Sequence, residues 1–298
     1  MRIASTTVSD NVVRQIQQLG TQQARLQTRV STGQRITNPS DDAAAVGRVI
    51  NLESERRMLA QFARNADRAL ELSQAAFSAL QQLKKISDRG TEIGTLAAGA
   101  TSDEARTAYA AELDQLIEQA VQLANTRFRN DYIFAGTAVD TPPFTLTRDA
   151  DGRVIDATYV GNSDQAVIPL SESTIVAPGT TGMTNAAMAA FIDQLVALRD
   201  ALRAGDNAGI MSARENLIAS EDVFVDALAE QGAVQMRIEV NQNLQKDRAQ
   251  NVEQLVSAET DDDLATTIVR LNQSQVAYQA ALQSAANIMR LSLLDYIK

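Results

Sequence analysis

From Leu264 onward the chain carries a row of side chains at alternating spacings of four and three: Leu264, Ile268, Leu271, Gln275, Tyr278, Leu282, Ala285 and Met289. A mostly apolar row of that period is one face of a helix, and it leaves water only by lying against another helix. The amino end carries a matching row in Val12, Ile16, Leu19, Gln23, Leu26 and Val30. The two ends are therefore expected to pair as a coiled coil, with neighbouring subunits covering what a single pair leaves open. Leu293, Leu294 and Tyr296 extend the carboxyl-terminal part of this candidate interface.

Composition supports helices and argues against several chemistries. Aromatic residues make up only 4% of the chain, while hydrophobic residues reach 45%. That balance favours narrow helix-to-helix contacts over a thick core with a ligand cavity. Histidine, cysteine and tryptophan are all absent. The usual general base, the thiol nucleophile and the main zinc ligands are thus missing, and no catalytic residue, cofactor or metal is expected.

A net charge of -10 disfavours contact with a phosphate backbone, so nucleic acid is not an expected partner. No run approaches the roughly 20 apolar residues that span a bilayer, and the first residues lack the apolar core of a signal peptide. Export without a cleaved leader is the expectation. An amphipathic membrane helix is disfavoured at the carboxyl end by its acidity. The ends differ in sign, because residues 1–40 hold five arginines against one aspartate and residues 258–298 hold five acids against three bases.

Proline maps the organisation, since it occurs only at 39, 142, 143, 169 and 178. Between Ser40 and Thr141 a long seam (Leu52, Leu59, Phe62, Ala66, Ala69, Ala76, Leu80, Leu83) precedes a shorter one (Tyr109, Leu113, Leu116, Ala120, Leu123). These predict a very long helix and a shorter one, separated where Gly90, Gly94 and Gly99 loosen the pattern. Thr101-Ser102-Asp103-Glu104 has capping-box spacing for the restart. Asn38-Pro39-Ser40-Asp41-Asp42 reads as the start signal of the long helix, with carboxylates at the positive end of its dipole.

From Gly136 to Gly182 the texture turns to Pro, Gly, Thr and Val, with two strand-like runs flanking Asp149-Ala150-Asp151-Gly152. This predicts a hairpin; the two aspartates form a turn rather than a calcium loop, which needs more oxygen ligands. Helical periodicity returns through Met188, Phe191, Leu195, Leu198 and Leu202, breaks at Gly205-Asp206-Asn207, and resumes through Leu217, Phe224 and Leu228. Beyond Gly232 the polar Asn241, Gln245 and Arg248 stand where the seam of Val234 and Ile238 would continue, so that helix is expected to be only partly buried. Thr260-Asp261-Asp262-Asp263 starts the terminal helix.

The fold class is therefore mainly α with a small β insert: a long antiparallel helical bundle built from both chain ends, with an outer β-rich domain in the middle. The expected division is 1–40 with 258–298, then 41–135 with 183–257, then 136–182. Ordering costs about 1 to 2 kcal/mol per residue of backbone, so a lone pair of terminal helices is marginal and is expected to order on assembly.

Specific wording adds to periodicity. The segment from Arg29 to Asp42 contains Ser31-Thr32-Gly33-Gln34-Arg35-Ile36 and then Pro39-Ser40-Asp41-Asp42. With Asp262-Asp263-Leu264-Ala265, Tyr278 to Leu282 and Ser292 to Ile297, it resembles the terminal motifs of the flagellin superfamily of bacterial axial proteins. In the middle, Tyr132-Ile133-Phe134-Ala135-Gly136-Thr137 and Asp140-Thr141-Pro142-Pro143-Phe144 are similar to junction-type members rather than to filament flagellins.

The resemblance implies a structural adaptor of the bacterial flagellum, with a compact filament flagellin as the alternative. It implies an extracellular location after type III export. Its implied partners are the first hook-associated protein, flagellin, copies of itself in a ring, and, before assembly, an export chaperone and the type III export apparatus. A helical enzyme using Asp, Glu, Arg or Tyr of the insert is the competing reading from another class, but Tyr132 and Tyr159 are more simply packing residues.

Overall fold

The computed structural model describes the backbone of residues 2–99 and 102–296 and the side chains of 10–99 and 102–287. Its order is α1 (Arg2–Thr32), α2 (Ala43–Ala97), α3 (Asp103–Ala124), β1 (Arg127–Phe128), β2 (Asp131–Tyr132), β3 (Phe144–Arg148), β4 (Val154–Tyr159), β5 (Ile168–Pro169), β6 (Ile175–Val176), α4 (Gly182–Ala204), α5 (Asn207–Thr260) and α6 (Leu264–Tyr296). The chain is mainly α, and its strands form antiparallel pairs β1–β2, β3–β4 and β5–β6.

The chain forms two compact units, one of residues 1–57 with 249–298 and one of residues 58–248. In the second, the anticipated seam residues Ala66, Ala69, Ala76, Leu80 and Leu83 of α2 are buried, as are Leu113 and Ala120 of α3 and Met188, Phe191, Leu195, Leu198 and Leu202 of α4. Phe191 meets Phe224 of α5 edge to face, with ring centroids 5.0 Å apart. Small alanines on α2 and α3 let the helices approach, and the few aromatics fill the remaining gaps.

Two expectations about helix breaks are corrected. α2 does not loosen at Gly90 and Gly94 but runs to Ala97. A Cβ on Gly90 would stand 2.8 Å from Leu195 Cδ2, and one on Gly94 would stand 3.2 Å from Arg214 Cβ, so these glycines admit neighbouring helices. The cap of α3 is Ser102, whose hydroxyl accepts from the Ala105 N–H at 3.3 Å. Thr101 lies outside the described residues. At Gly205 the anticipated break occurs: the residue is left-handed and caps α4 through its N–H.

The insert is a clasp on the bundle as well as a hairpin. Asp149 Oδ1 accepts from the N–H groups of Asp151 and Arg153, and Gly152 has φ of 81°, so the two aspartates do build a turn. Arg199 of α4, only 2% exposed, donates to the Val154 carbonyl at 2.7 Å and to Asp114 of α3 at 3.3 Å. Asp193 Oδ1 accepts from the Ala157 N–H, tying β4 to α4 at a second point. Leu170 and Val176 pack with Ala66, Ala69 and Ile238 in a separate apolar cluster.

Beyond Gly232, α5 is only partly buried, as expected, with Met236, Val240, Leu244 and Leu255 exposed. Asn241 and Gln245 stand in the seam and are buried, while Arg248 is exposed. The Gln245 amide donates to the Leu170 carbonyl at 3.4 Å, and Gln231 accepts from Ser73 at 2.7 Å, so amides occupy seam positions where insert and helix polar groups must be met.

Candidate functional site

In the terminal unit α1 packs against α6. Leu26 and Ala285 are buried in this pairing, and Val12, Ile16, Leu19, Gln23, Val30, Leu271 and Tyr278 are half-buried. The Tyr278 ring lies 3.6 Å from where a Cβ on Gly20 would stand, so the glycine makes room for it. The side chains of Met289, Leu293, Leu294 and Tyr296 lie outside the described residues.

The carboxyl-terminal row is displaced from the one expected to face the amino end. Leu264, Ile268 and Leu282 are 44%, 44% and 43% exposed, while Thr267 and Ser274 are buried and Ala281 is half-buried. The face that meets α1 is therefore Thr267, Leu271, Ser274, Tyr278, Ala281 and Ala285. Small residues alternate there with large ones, which brings the helices close and turns the bulkier Leu264, Ile268 and Leu282 outward. α6 thus carries adjacent 4–3 rows sharing Leu271, Tyr278 and Ala285, and only one of them is covered within the unit. Polarity hid Thr267 and Ser274; their register with Leu271 and Tyr278 was the available signal.

The turn between α1 and α2 gives each motif residue a distinct task. Gly33, with φ of 70°, ends α1 and its carbonyl accepts from the Asp262 N–H, while the Arg35 N–H donates to the Thr260 carbonyl at 2.7 Å. The Arg35 guanidinium donates to the Glu259 carbonyl at 2.9 Å and to Asp42 at 3.2 Å. A cation thus sits at the negative end of the α5 dipole. Arg48 of α2 grips Glu259 with two bonds, of 2.8 and 2.9 Å. Pro39 and Ser40 are exposed at the tip of the turn.

The two carboxylates of the motif are not equivalent. Asp41 accepts from the N–H groups of Asn38 and Thr37, and these bonds hold its pKa below the ordinary value. Asp42 caps α2 by accepting from the Ala45 N–H at 3.0 Å; that bond first, and Arg35 second, lower its pKa. Glu259 is lowered by Arg48. Asp263, which accepts from Thr266 and Ala265 at the start of α6, is lowered by those bonds.

The middle motif alternates between buried and exposed positions. Phe134, Pro143 and Phe144 are buried, and Asn125 bonds both the N–H and the carbonyl of Phe144 at 3.1 Å. Arg127 stacks over Tyr132, 4.3 Å from the ring centroid. Gly136, with φ of 69°, lies where a Cβ would stand 2.6 Å from the Asn162 carbonyl oxygen, and the Thr137 N–H donates to the Asn162 side chain. Pro142 is exposed. These residues close the insert onto the bundle.

Comparison with known proteins shows what this chain is similar to. Residues 3–139 match the family of the bacterial flagellin N-terminal helical region. The chain is 25% identical over 289 residues to flagellar hook-associated protein 3 of Escherichia coli, covering 91% of each. The chain is thus similar to flagellins along its amino-terminal part and to a hook-associated protein 3 over nearly its whole length. A flagellin of Listeria monocytogenes is 31% identical over only 106 residues, 35% of this chain. In fold, the crystal structure of FlgL from Bacillus cereus superposes with a TM-score of 0.61 at 19% identity, covering 70% of this chain and 99% of that one. The similarity to a hook-associated protein therefore spans 91% of the chain, and that to a flagellin about a third of it.

Proposed function

We propose that this chain is a structural adaptor that joins the flagellar hook to the flagellin filament, and that it assembles through its two terminal helices. The observation that carries the assembly role is the surplus row on α6: Leu264, Ile268 and Leu282 form an apolar face that α1 leaves uncovered. A row at heptad spacing is completed by another helix, and neighbouring subunits supply it. The interface we assign comprises Val12, Ile16, Leu19, Leu26 and Val30 with Leu264, Ile268, Leu271, Tyr278, Leu282 and Ala285. The sequence pattern continues it through Met289, Leu293, Leu294 and Tyr296.

The partners in this reading are the first hook-associated protein on one side, flagellin on the other, and copies of the chain in a ring. The chain leaves the cell through the type III export apparatus with a chaperone on its carboxyl-terminal helix, and its role is structural rather than catalytic. The three-part division at 1–40 with 258–298, 41–135 with 183–257, and 136–182 is proposed as inner, middle and outer layers. The match to a hook-associated protein over 91% of the chain favours the adaptor over a filament flagellin. Labelling of an epitope placed at the exposed Asp149–Gly152 turn tests this: the adaptor appears as one band at the hook end of each filament. Label along the whole filament would identify a flagellin instead.

A further inference from the structure

Between α1 and α6 the terminal unit holds a groove of about 440 Å³ whose chemistry the helix pairing does not use. Leu26 and Ala277 line its apolar part, and Arg25, Arg29 and Arg270 line it as well. None of these arginines makes an ion pair among the described residues, although the charge of Arg25 reaches Asp41 and that of Arg270 reaches Asp263. Ser274 also lines the groove; it is 7% exposed, and its hydroxyl has no hydrogen-bond partner. A buried hydroxyl without a partner and unpaired guanidinium groups are together suited to carboxylate oxygens, which accept from both.

Charge identifies the occupant. Copies of a chain with net charge -10 repel one another except where a local region is basic, and residues 1–40 are such a region. The same chain ends its α5–α6 turn with Asp261, Asp262 and Asp263, of which Asp261 and Asp263 are exposed. None of the three makes an ion pair within the described residues. At 1.5 Å per residue, Arg270 lies about 9 Å along α6 from Leu264, the residue after the acidic turn, so a neighbour shifted by roughly two helical turns along the axis brings that turn to the groove.

We propose that the Arg25–Arg29–Arg270 groove of one copy receives the Asp261–Asp263 turn of the next, making a head-to-tail contact that sets the stagger between subunits. Such a contact is heterologous, joining unlike patches on successive copies. It rests on the ring-forming role proposed above and adds to it the residues that fix register. The apolar row of α6 supplies area; the groove supplies direction.

The test uses cells whose own gene is replaced by variants, with flagellin released into the medium as the readout. The double reversal Arg25→Glu with Arg29→Glu is expected to raise shed flagellin at least tenfold. Combining it with Asp261→Arg and Asp262→Arg should restore retention. Because the chain has no cysteine, co-expressed Arg29→Cys and Asp261→Cys chains give an independent readout, and oxidation of isolated flagella should yield their heterodimer. Flagella that contain both cysteine variants and give no heterodimer overturn the groove contact, as does a double reversal that retains filaments like the parent chain. If the parent chain itself is not needed to retain filaments, the adaptor reading fails instead.

Discussion

At the residue scale, the strongest dependence falls on Arg199. It is a charge in the interior of the larger unit, held by Asp114, Asp200 and the Val154 carbonyl. Arg199→Met removes the donor to the Val154 carbonyl, while Asp114 keeps Arg203 and Asp200 keeps water. Breaking a buried pair from one side costs roughly 3 to 5 kcal/mol, and the lower end applies because Asp114 and Asp200 keep contact with water. Urea unfolding of the full chain followed by circular dichroism measures it, and a loss below about 0.5 kcal/mol contradicts the assigned role. Nothing in the sequence marked Arg199, because a lone arginine beside an aspartate on a helix reads as surface.

The carboxylates of the terminal turn predict an acid response of definite sign. Asp41, Asp42, Glu259 and Asp263 all have folded pKa values below their ordinary values of 3.8 or 4.5. They bind protons less readily when folded, so their contribution is fully present above those ordinary values and is lost as pH falls through the depressed ones. Asp193, raised by burial, responds in the opposite sense, since protonation relieves its desolvation. Acid titration of the assembled protein should therefore expose residues 33–42 to an acid-active protease only below about pH 4. Exposure that begins near pH 6 would contradict this assignment. The motif was legible as a turn; the division of labour between Asp41 and Asp42 was not, because it depends on which N–H groups each carboxylate reaches.

At the element scale, glycines separate packing from propensity. Gly90→Ala crowds Leu195 and should cost about 1 to 3 kcal/mol, less what the helix gains from alanine. Gly232, inside α5, meets nothing within 4 Å of an added Cβ, so Gly232→Ala should stabilise by up to about 1 kcal/mol. Denaturant midpoints of the two variants should move in opposite directions, and movement in the same direction contradicts the packing assigned to Gly90. Helix periods were readable from Ala66 to Leu83 and from Met188 to Leu202 because burial there follows apolar spacing. The reading failed at Gly90 and Thr267, where glycine admits a neighbouring helix and a small polar residue sits in the α1–α6 contact.

At the scale of the whole molecule, a terminal unit with an uncovered apolar row is expected to gain order from neighbours. Limited proteolysis of the free chain should remove about forty residues from each end and spare the core, as expected when helix ordering is paid for by assembly. A full-length chain that resists protease would contradict this. The pairing of the two ends was legible from the sequence, since heptad rows run along both α1 and α6. The clasp made by the insert was not, because it depends on contacts such as Gln245 with Leu170 and Arg199 with Val154, which join residues far apart in the chain. The most direct measurement of the central claim is deletion of the gene followed by microscopy of hooks and assay of flagellin in the medium. The adaptor role predicts intact hooks without filaments and flagellin shed as monomer, whereas filaments of normal length on those hooks would contradict it.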